Sequence, residues 1–375
     1  MVSVRSGLTT QSDCDFDAAQ GDGRQPSLTR EEWDNLLRDA ASNVVFMTWE
    51  WQRAWWRHFG SQEGCQLHLL SLRDERGALV GIAPLFIERA PLPPFKEYAR
   101  GEQRPVGEGE VLRIVRIVGG IEVADYLDVI APPERLPEVW AAVLDYLLDK
   151  RGEWDVIDFH SLPEFSPSKE VLPVLAEARG LDCRVFPEDV SPVLELPGDW
   201  DTYLMSLRKK DRHELRRKVR KLEGRDDVKW RLVPSRQHEA LLDGMRTFLD
   251  LHRLSGADKA SFMDDKMAAY FLDMASTLSD TGWLDLAILD VAGEPASAYF
   301  SFSYGDRLYL YNSGYDPQFA SYSAGVALLA YRIHKAILEG FKYFDFLRGD
   351  EPYKYDFGAK DTYVYRVYLS PRSEV

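Results

Sequence analysis

Arg307-Leu308-Tyr309-Leu310-Tyr311-Asn312 alternates as a half-buried strand does, and Ser313-Gly314-Tyr315-Asp316-Pro317 breaks it into a loop. Beyond Tyr322-Ser323-Ala324-Gly325, apolar residues recur at helical spacing from Val326 to Leu338, and Gly340 closes the helix. Tyr343-Phe344-Asp345-Phe346-Leu347 then reads as a short buried strand. A helix between two strands implies a right-handed crossover and local parallel pairing. Upstream, Trp283 to Val291 and Pro295 to Tyr304 are strands about the turn Ala292-Gly293-Glu294, and Gly305-Asp306 is a two-residue hairpin leading into Arg307.

The first half has the same order. Strands are expected at Leu67 to Arg73 and Ala78 to Ile87 around the turn Asp74-Glu75-Arg76-Gly77, then at Val111 to Val118 and Tyr126 to Ile130. Pro91 to Gly109 reads as a loop. Pro133 opens a helix to Lys150, Trp154 to His160 is a buried strand, and a helix from Lys169 to Arg179 ends at Gly180. Asp158-Phe159 after Val156-Ile157 matches Asp345-Phe346 after Tyr343-Phe344. The expected fold class is α/β (α+β): two similar mixed-sheet units, each with a strand–helix–strand crossover. A polar tail is expected over residues 1–26, one unit over 27–190 and a second over 191–375, crossing near Pro187 to Pro197. Ser27 or Thr29 caps the first helix, and Thr48 starts a second whose Trp49, Trp51, Trp55 and Trp56 read as core.

A net charge of −15 over 375 residues argues against general affinity for nucleic acid or anionic membrane. Cys14, Cys65 and Cys183 are far apart, which speaks for a reducing cytoplasm over a disulfide framework, and no zinc or other metal set is spaced in the chain. No signal-peptide core and no run of about 18 apolar residues is present. Walker, GxSxG and HExxH motifs are missing.

Four stretches have residues that could do chemistry. Tyr322, Ser323, Gly325 and Val326 stand at a helix start, with Asn312 just before the loop; unsatisfied N–H groups there suit a phosphate, though a plain serine cap gives the same pattern. Asp345 ends a buried strand before Arg348, Tyr353 and Lys354; it could be a base, but its counterpart Asp158 favours a structural role. Lys354, Arg348 and Tyr353 are the better candidates for orienting a donor or acceptor. Arg208 to Lys221 is a helix with a strongly basic face, suited to coenzyme phosphates, an acidic carrier protein or RNA, or merely solvated. His252 is the natural base near neutral pH if it faces the site; a packed histidine is the alternative, and His160 is a weaker candidate.

Gly293-Glu294-Pro295-Ala296, Tyr311 to Asp316, Tyr322-Ser323-Ala324-Gly325 and Phe344 to Lys354, with the basic run and Leu251-His252-Arg253, resemble the CelD-type GNAT acetyltransferases, often linked to exopolysaccharide production. More distantly the chain is similar to the Fem-type aminoacyl transferases, which are tandem GNAT proteins. The resemblance implies a tandem GNAT fold, an acyl thioester bound in the second half, and direct attack by an acceptor amine with no acyl-enzyme. It makes Arg307 to Asn312 the splayed strand and Tyr322 to Val326 the phosphate-cradling helix start. Where the family phosphate loop reads Q/R-x-x-G-x-G/A, this chain has Ala320, Ser323 and Gly325. That departure leaves the donor open between acyl-CoA and an acyl group on the phosphopantetheine of an acyl-carrier protein, which the Arg208–Lys221 helix would suit. The acceptor is expected to be an amine (or hydroxyl) of a sugar, peptide or small molecule. The rival expectations are a Fem-like transferase using aminoacyl-tRNA and a catalytically silent GNAT-fold binding protein.

Overall fold

The computed structural model describes residues 7–16, 28–61, 63–92, 111–120 and 123–372. The chain forms two units, residues 1–190 with 363–375, and residues 191–362. Most of the expected loop Pro91 to Gly109, and most of the expected tail, lie outside the described residues.

The first unit contains β1 (Thr9–Asp13), α1 (Arg30–Arg38), α2 (Trp49–Trp55), β2 (Gln66–Arg73), β3 (Leu79–Pro91), β4 (Val111–Ile117), α3 (Leu136–Asp149), β5 (Val156–Pro163), α4 (Ser168–Ala178) and β6 (Leu181–Val190). Thr29 caps α1 in a capping box with Glu32, and Thr48 caps α2. The Trp-rich stretch is core only in part: Trp51 and Trp55 are buried, while Trp49 and Trp56 are half-buried; Trp33 of α1 is fully buried and its Nε1 donates to Met47 O at 2.9 Å. β4 and β5 pair in parallel across the α3 crossover, as expected.

Two expectations fail here. β1 pairs with β2, although it falls in the stretch read as a tail. Its polar sequence has an edge pattern, so backbone pairing holds it in place of side-chain burial. Tyr126 to Ile130 is no strand; only Ile130 bridges to Ile82, while Leu127 N donates to Ser161 O. Those apolar residues are buried as an irregular segment, which periodicity does not separate from a strand.

The second unit contains β7 (Val193–Glu195), α5 (Trp200–Ser206), α6 (Lys209–Leu222), β8 (Val228–Leu232), α7 (His238–Leu254), α8 (Ala257–Phe262), α9 (Asp265–Thr281), β9 (Leu284–Val291), β10 (Glu294–Tyr304), β11 (Arg307–Tyr315), α10 (Ala324–Leu338), β12 (Tyr343–Asp345) and α11 (Pro352–Asp356). Its sheet has the order β7-β12-β11-β10-β9-β8, antiparallel except for the parallel pair β11 and β12 across α10. Alternate residues of each strand face opposite sides. Ala287, Leu289 and Tyr299 pack with α6 and α10; Phe300 stacks instead on Phe248 of α7 and Phe271 of α9. Arg332 of α10 forms a buried two-point bond with Asp285 of β9, at 2.8 and 2.7 Å, which fixes the rotation of α10 on the sheet.

The last strand, β13 (Tyr363–Pro371), returns to the first unit, whose sheet order is β1-β2-β3-β4-β5-β13-β6. The expectation that residues up to 375 belong with the second half is corrected by this strand. Val364, Val367 and Leu369 of β13 are fully buried between β5 and β6. A period-two pattern says that a strand buries one face; it does not say in which sheet.

Candidate active site

β11 and β12 stay paired over only three residues, from Arg307 opposite Tyr343 to Tyr309 opposite Asp345. β11 continues against β10 as far as Tyr315, while the chain after β12 turns at Leu347, whose φ is 58°. The strands therefore part. At the same level β11 bulges: Phe300 faces Asn312 and Ser301 faces Leu310, which leaves Tyr311 as the extra residue. A bulge turns backbone groups out of the ladder at the point where the neighbouring strand has left.

The start of α10 stands on one face of this opening. Ser323 has φ 54° and ψ 41°, and no side chain caps the helix, so the reading of Ser323 as an ordinary cap does not hold. The first turn keeps the N–H groups of Ala324, Gly325 and Val326 for a partner outside the helix. Gly325 has no positive φ, and a Cβ built there would meet nothing nearer than Tyr299 Oη at 3.7 Å. Neither backbone conformation nor packing requires that glycine, whose bareness leaves the backbone approachable. Tyr299 Oη donates to Gly325 O at 2.9 Å and holds the turn from below.

Beside it lies a cleft of about 280 Å³, lined by Arg208 just before α6, Lys210 and Lys218 of α6, Val326 of α10, and Tyr353 and Phe357 among others. Its floor is apolar, and its α6 side sets Lys210 and Lys218 among the carboxylates of Asp211 and Glu214. Tyr353 is 36% exposed as a residue, but desolvation of its hydroxyl, with Glu351 adding to it, raises that hydroxyl above the ordinary tyrosine value, so it is a neutral donor. Tyr322 lies under two cations, with Lys221 Nζ 5.8 Å and the Arg225 guanidinium 5.2 Å from its ring centroid.

His252, near the end of α7, is on the other face. It is 1% exposed, against Phe248 and Phe262. The Asn312 side chain hydrogen-bonds its ring, while Nδ1 is buried without a partner. Burial, then Lys259 and Arg253, lower the imidazole to about 4 against the opposing Asn312 bond, so His252 is neutral at physiological pH. Lys259 of α8 donates to the carbonyl and the hydroxyl of Ser313. Burial lowers its ammonium below the usual lysine value, against the field of Glu351. Sequence reading passed over Lys259 and Glu351: two polar residues on short surface elements carry no periodic signal.

The second motif behaves otherwise. Asp345 is fully buried, accepts from Arg307 Nη1 at 2.8 Å and from Leu347 N at 2.9 Å, and serves the strand end in place of acting as a base. Its counterpart Asp158 accepts from Arg116 at 3.1 Å and from Arg366 at 2.6 and 3.0 Å. Lys354, expected to orient a ligand, is 2% exposed. Its Nζ donates to the carbonyls of Leu347, Arg348 and Gly349 at 3.0, 2.8 and 2.9 Å and pairs with Glu351. An ammonium has three protons, and these are committed, so Lys354 is a clip that shapes the turn. Arg348 lies half-buried in that turn. Thus Tyr322, Ser323, Gly325, Val326 and Tyr353 gather on the α10 side of the opening, and His252 and Asn312 gather with Lys259 on the α7 side.

In the first unit the backbone just after β4 is tightly packed. A Cβ on Gly119 would lie 2.5 Å from Leu127, and one on Gly120 would lie 2.8 Å from Trp55. His160, the weaker candidate, is locked between Asp158 and Glu188. Among the described residues no group of His, Cys, Asp and Glu could hold a metal ion, and no helix is long and apolar enough to cross a membrane.

Residues 209–355, from α6 to the clip, match the family described as "Acetyltransferase (GNAT) domain". The second unit carries a GNAT-type N-acyltransferase domain. No curated protein matches the chain. Among solved structures it is similar to FemX, at 13% identity and a TM-score of 0.61 over 91% of this chain and 96% of that one. It is also similar to the C-terminal domain of a putative lysylphosphatidylglycerol synthetase from Agrobacterium fabrum, at 13% identity and TM-score 0.52 over 90% of each chain. L-PGS from Bacillus licheniformis is comparable, at 14% identity and TM-score 0.52 over 94% of this chain and 95% of that one. At such identities the likeness is one of fold. With the GNAT domain in the second unit and a like mixed sheet in the first, the architecture is the tandem GNAT fold.

Proposed function

We propose that this protein transfers an acyl group from a phosphopantetheine thioester, on coenzyme A or on a carrier protein, to an amine (or hydroxyl) of a sugar, peptide or small metabolite. The observation that carries this reading is the parting of β11 from β12 before the uncapped start of α10, inside the stretch that matches the acetyltransferase family. The donor phosphate would meet Ser323 to Val326, and its arm the apolar floor between Val326 and Phe357. The acceptor nitrogen attacks the thioester carbon, the C–N bond forms, and the oxyanion is held by backbone N–H at the bulge of β11. The C–S bond then breaks, and the proton lost by nitrogen ends on the departing thiolate. His252, neutral with a vacant Nδ1, is the proposed relay for that proton.

The resemblance to CelD-type proteins supports an acceptor from exopolysaccharide, envelope or natural-product biosynthesis, and thioester donors, made in the cytoplasm, support that location. Aminoacyl-tRNA as donor is the second reading, supported by the basic face of α6. Calorimetric titration with acetyl-CoA and longer acyl-CoAs tests the proposal. Saturable binding that Gly325→Trp abolishes is expected; failure of every thioester, carrier-bound ones included, to bind would sink it.

A further inference from the structure

α6 is charged beyond anything its folding requires. Leu215 and Leu222 are its buried residues, and Val219 packs beside them. The stretch from Arg208 to Lys221 nonetheless has nine Lys and Arg against Asp211 and Glu214, in a chain of net charge −15. Arg208, Lys209 and Lys210 crowd the N-terminal end, where a cation opposes the helix dipole, and no side chain caps it. Arg212 and Arg216, Arg216 and Arg220, and Arg217 and Lys221 are like charges four residues apart, which repel. Arg220 and Lys221 suit the C-terminal end and Glu214 bridges Arg217 and Lys218, but the N-terminal cluster and the repelling pairs weaken the helix, so a ligand is the physical reason to hold so many cations together.

The basic surface is continuous with the donor cleft. A second, open groove is lined by Lys210, His213, Glu214, Arg216, Arg217 and Arg220, and it shares Lys210 and Glu214 with the cleft. Lys209, His213, Arg217 and Arg220 are exposed. Cations that served only the phosphates of a ligand inside the cleft would not need to extend along the far side of the helix.

We propose that the outer face of α6 docks an acidic acyl-carrier protein, whose phosphopantetheine arm enters the adjoining cleft. This inference rests on the proposed thioester chemistry and chooses between its two donor forms. A helix of 14 residues is about 21 Å long, the length of one partner helix. A nucleic acid would run past that patch onto the surface of a strongly acidic chain, whereas a small acidic domain meets the patch alone. Asp211 and Glu214, paired with Arg208 and Arg217, break the run into separate cations, which suits discrete carboxylates better than an unbroken row of phosphates.

The test is fluorescence-anisotropy binding of a labelled holo acyl-carrier protein, bare and loaded with short, medium and long acyl groups, to the full chain. The triple substitution Arg216→Glu, Arg217→Glu and Arg220→Glu lies outside the cleft lining, with Arg217→Gln as a milder control. Expected are binding that weakens steeply with salt, at least tenfold loss on triple charge reversal, and unchanged acyl-CoA affinity in the same variant. Carrier affinity that charge reversal leaves intact overturns the proposal. So does absence of carrier binding in a protein that binds acyl-CoA, or displacement of bound carrier by tRNA at lower concentration than by unlabelled carrier. A protein that binds neither donor form contradicts the thioester reading itself.

Discussion

A Cβ on Gly314 would lie 2.4 Å from the amide nitrogen of His252, so the helix that carries the imidazole rests directly on the backbone of β11. Nothing larger than glycine fits there, and the contact sets the distance between the proposed proton relay and the bulged strand. Gly314→Ala should force α7 outward at a cost of about 1–3 kcal/mol. Urea unfolding would read that loss, and the rate of acyl transfer should fall more than donor affinity does.

Gly325 separates packing from function. Its surroundings leave room for a methyl group, and alanine is favoured over glycine in a helix by about 0.5–1 kcal/mol. Gly325→Ala should therefore unfold at slightly higher urea while binding the donor at least several-fold more weakly. Equal donor affinity in calorimetry would remove the start of α10 from the site.

Lys354→Met should act through stability. It leaves one buried and two part-buried carbonyls, and the Glu351 carboxylate, without their shared cation. A loss of about 3 kcal/mol is expected. Activity at low temperature, corrected for the folded fraction, should survive better than in His252→Gln, for which a loss of about 100-fold or more is expected.

The pH profile tests the pair His252 and Lys259. With His252 lowered to about 4, the acid limb of kcat/KM should lie well below the ordinary histidine value. The charged groups acting on it are Lys259 from α8 and Arg253 on α7, with Asn312 bonding from β11 and Glu351 acting on Lys259. Lys259→Met removes a cation that disfavours imidazolium, so the acid limb should move to higher pH. An unmoved limb would show that His252 does not govern it.

His160 gives a pH signature in stability. Burial disfavours its charge, but Asp158 and Glu188 on either side prevail and raise its pKa. A raised folded value means that the imidazolium stabilises fully below about 6.5, its unfolded value. That contribution is lost as pH rises through the folded value. Urea midpoints between neutral and alkaline pH should fall, and His160→Gln should flatten the slope.

Much of this architecture was legible in the chain. The alternation of Arg307 to Asn312, the helical spacing of Val326 to Leu338 and the apolar run from Tyr343 predicted strand, helix and strand, because local periodicity reports which face is buried. The pairing of Asp158 with Asp345 as structural counterparts was visible in two short matching runs. The candidate site was legible only in part: Gly325 and His252 stood out by type as candidates, but Lys354 looked like a ligand-binding residue because sequence cannot show three carbonyls converging on one ammonium.

What the sequence alone determined is the order and kind of elements, the charge of α6 and the candidate helix start, since these depend on neighbours within a few turns. Which sheet β13 joins, how far β12 follows β11, and which side chains meet Lys259 were decided by tertiary structure. These contacts join residues tens to hundreds of positions apart, and they are set by whichever long-range pairing buries the most apolar surface while satisfying the backbone.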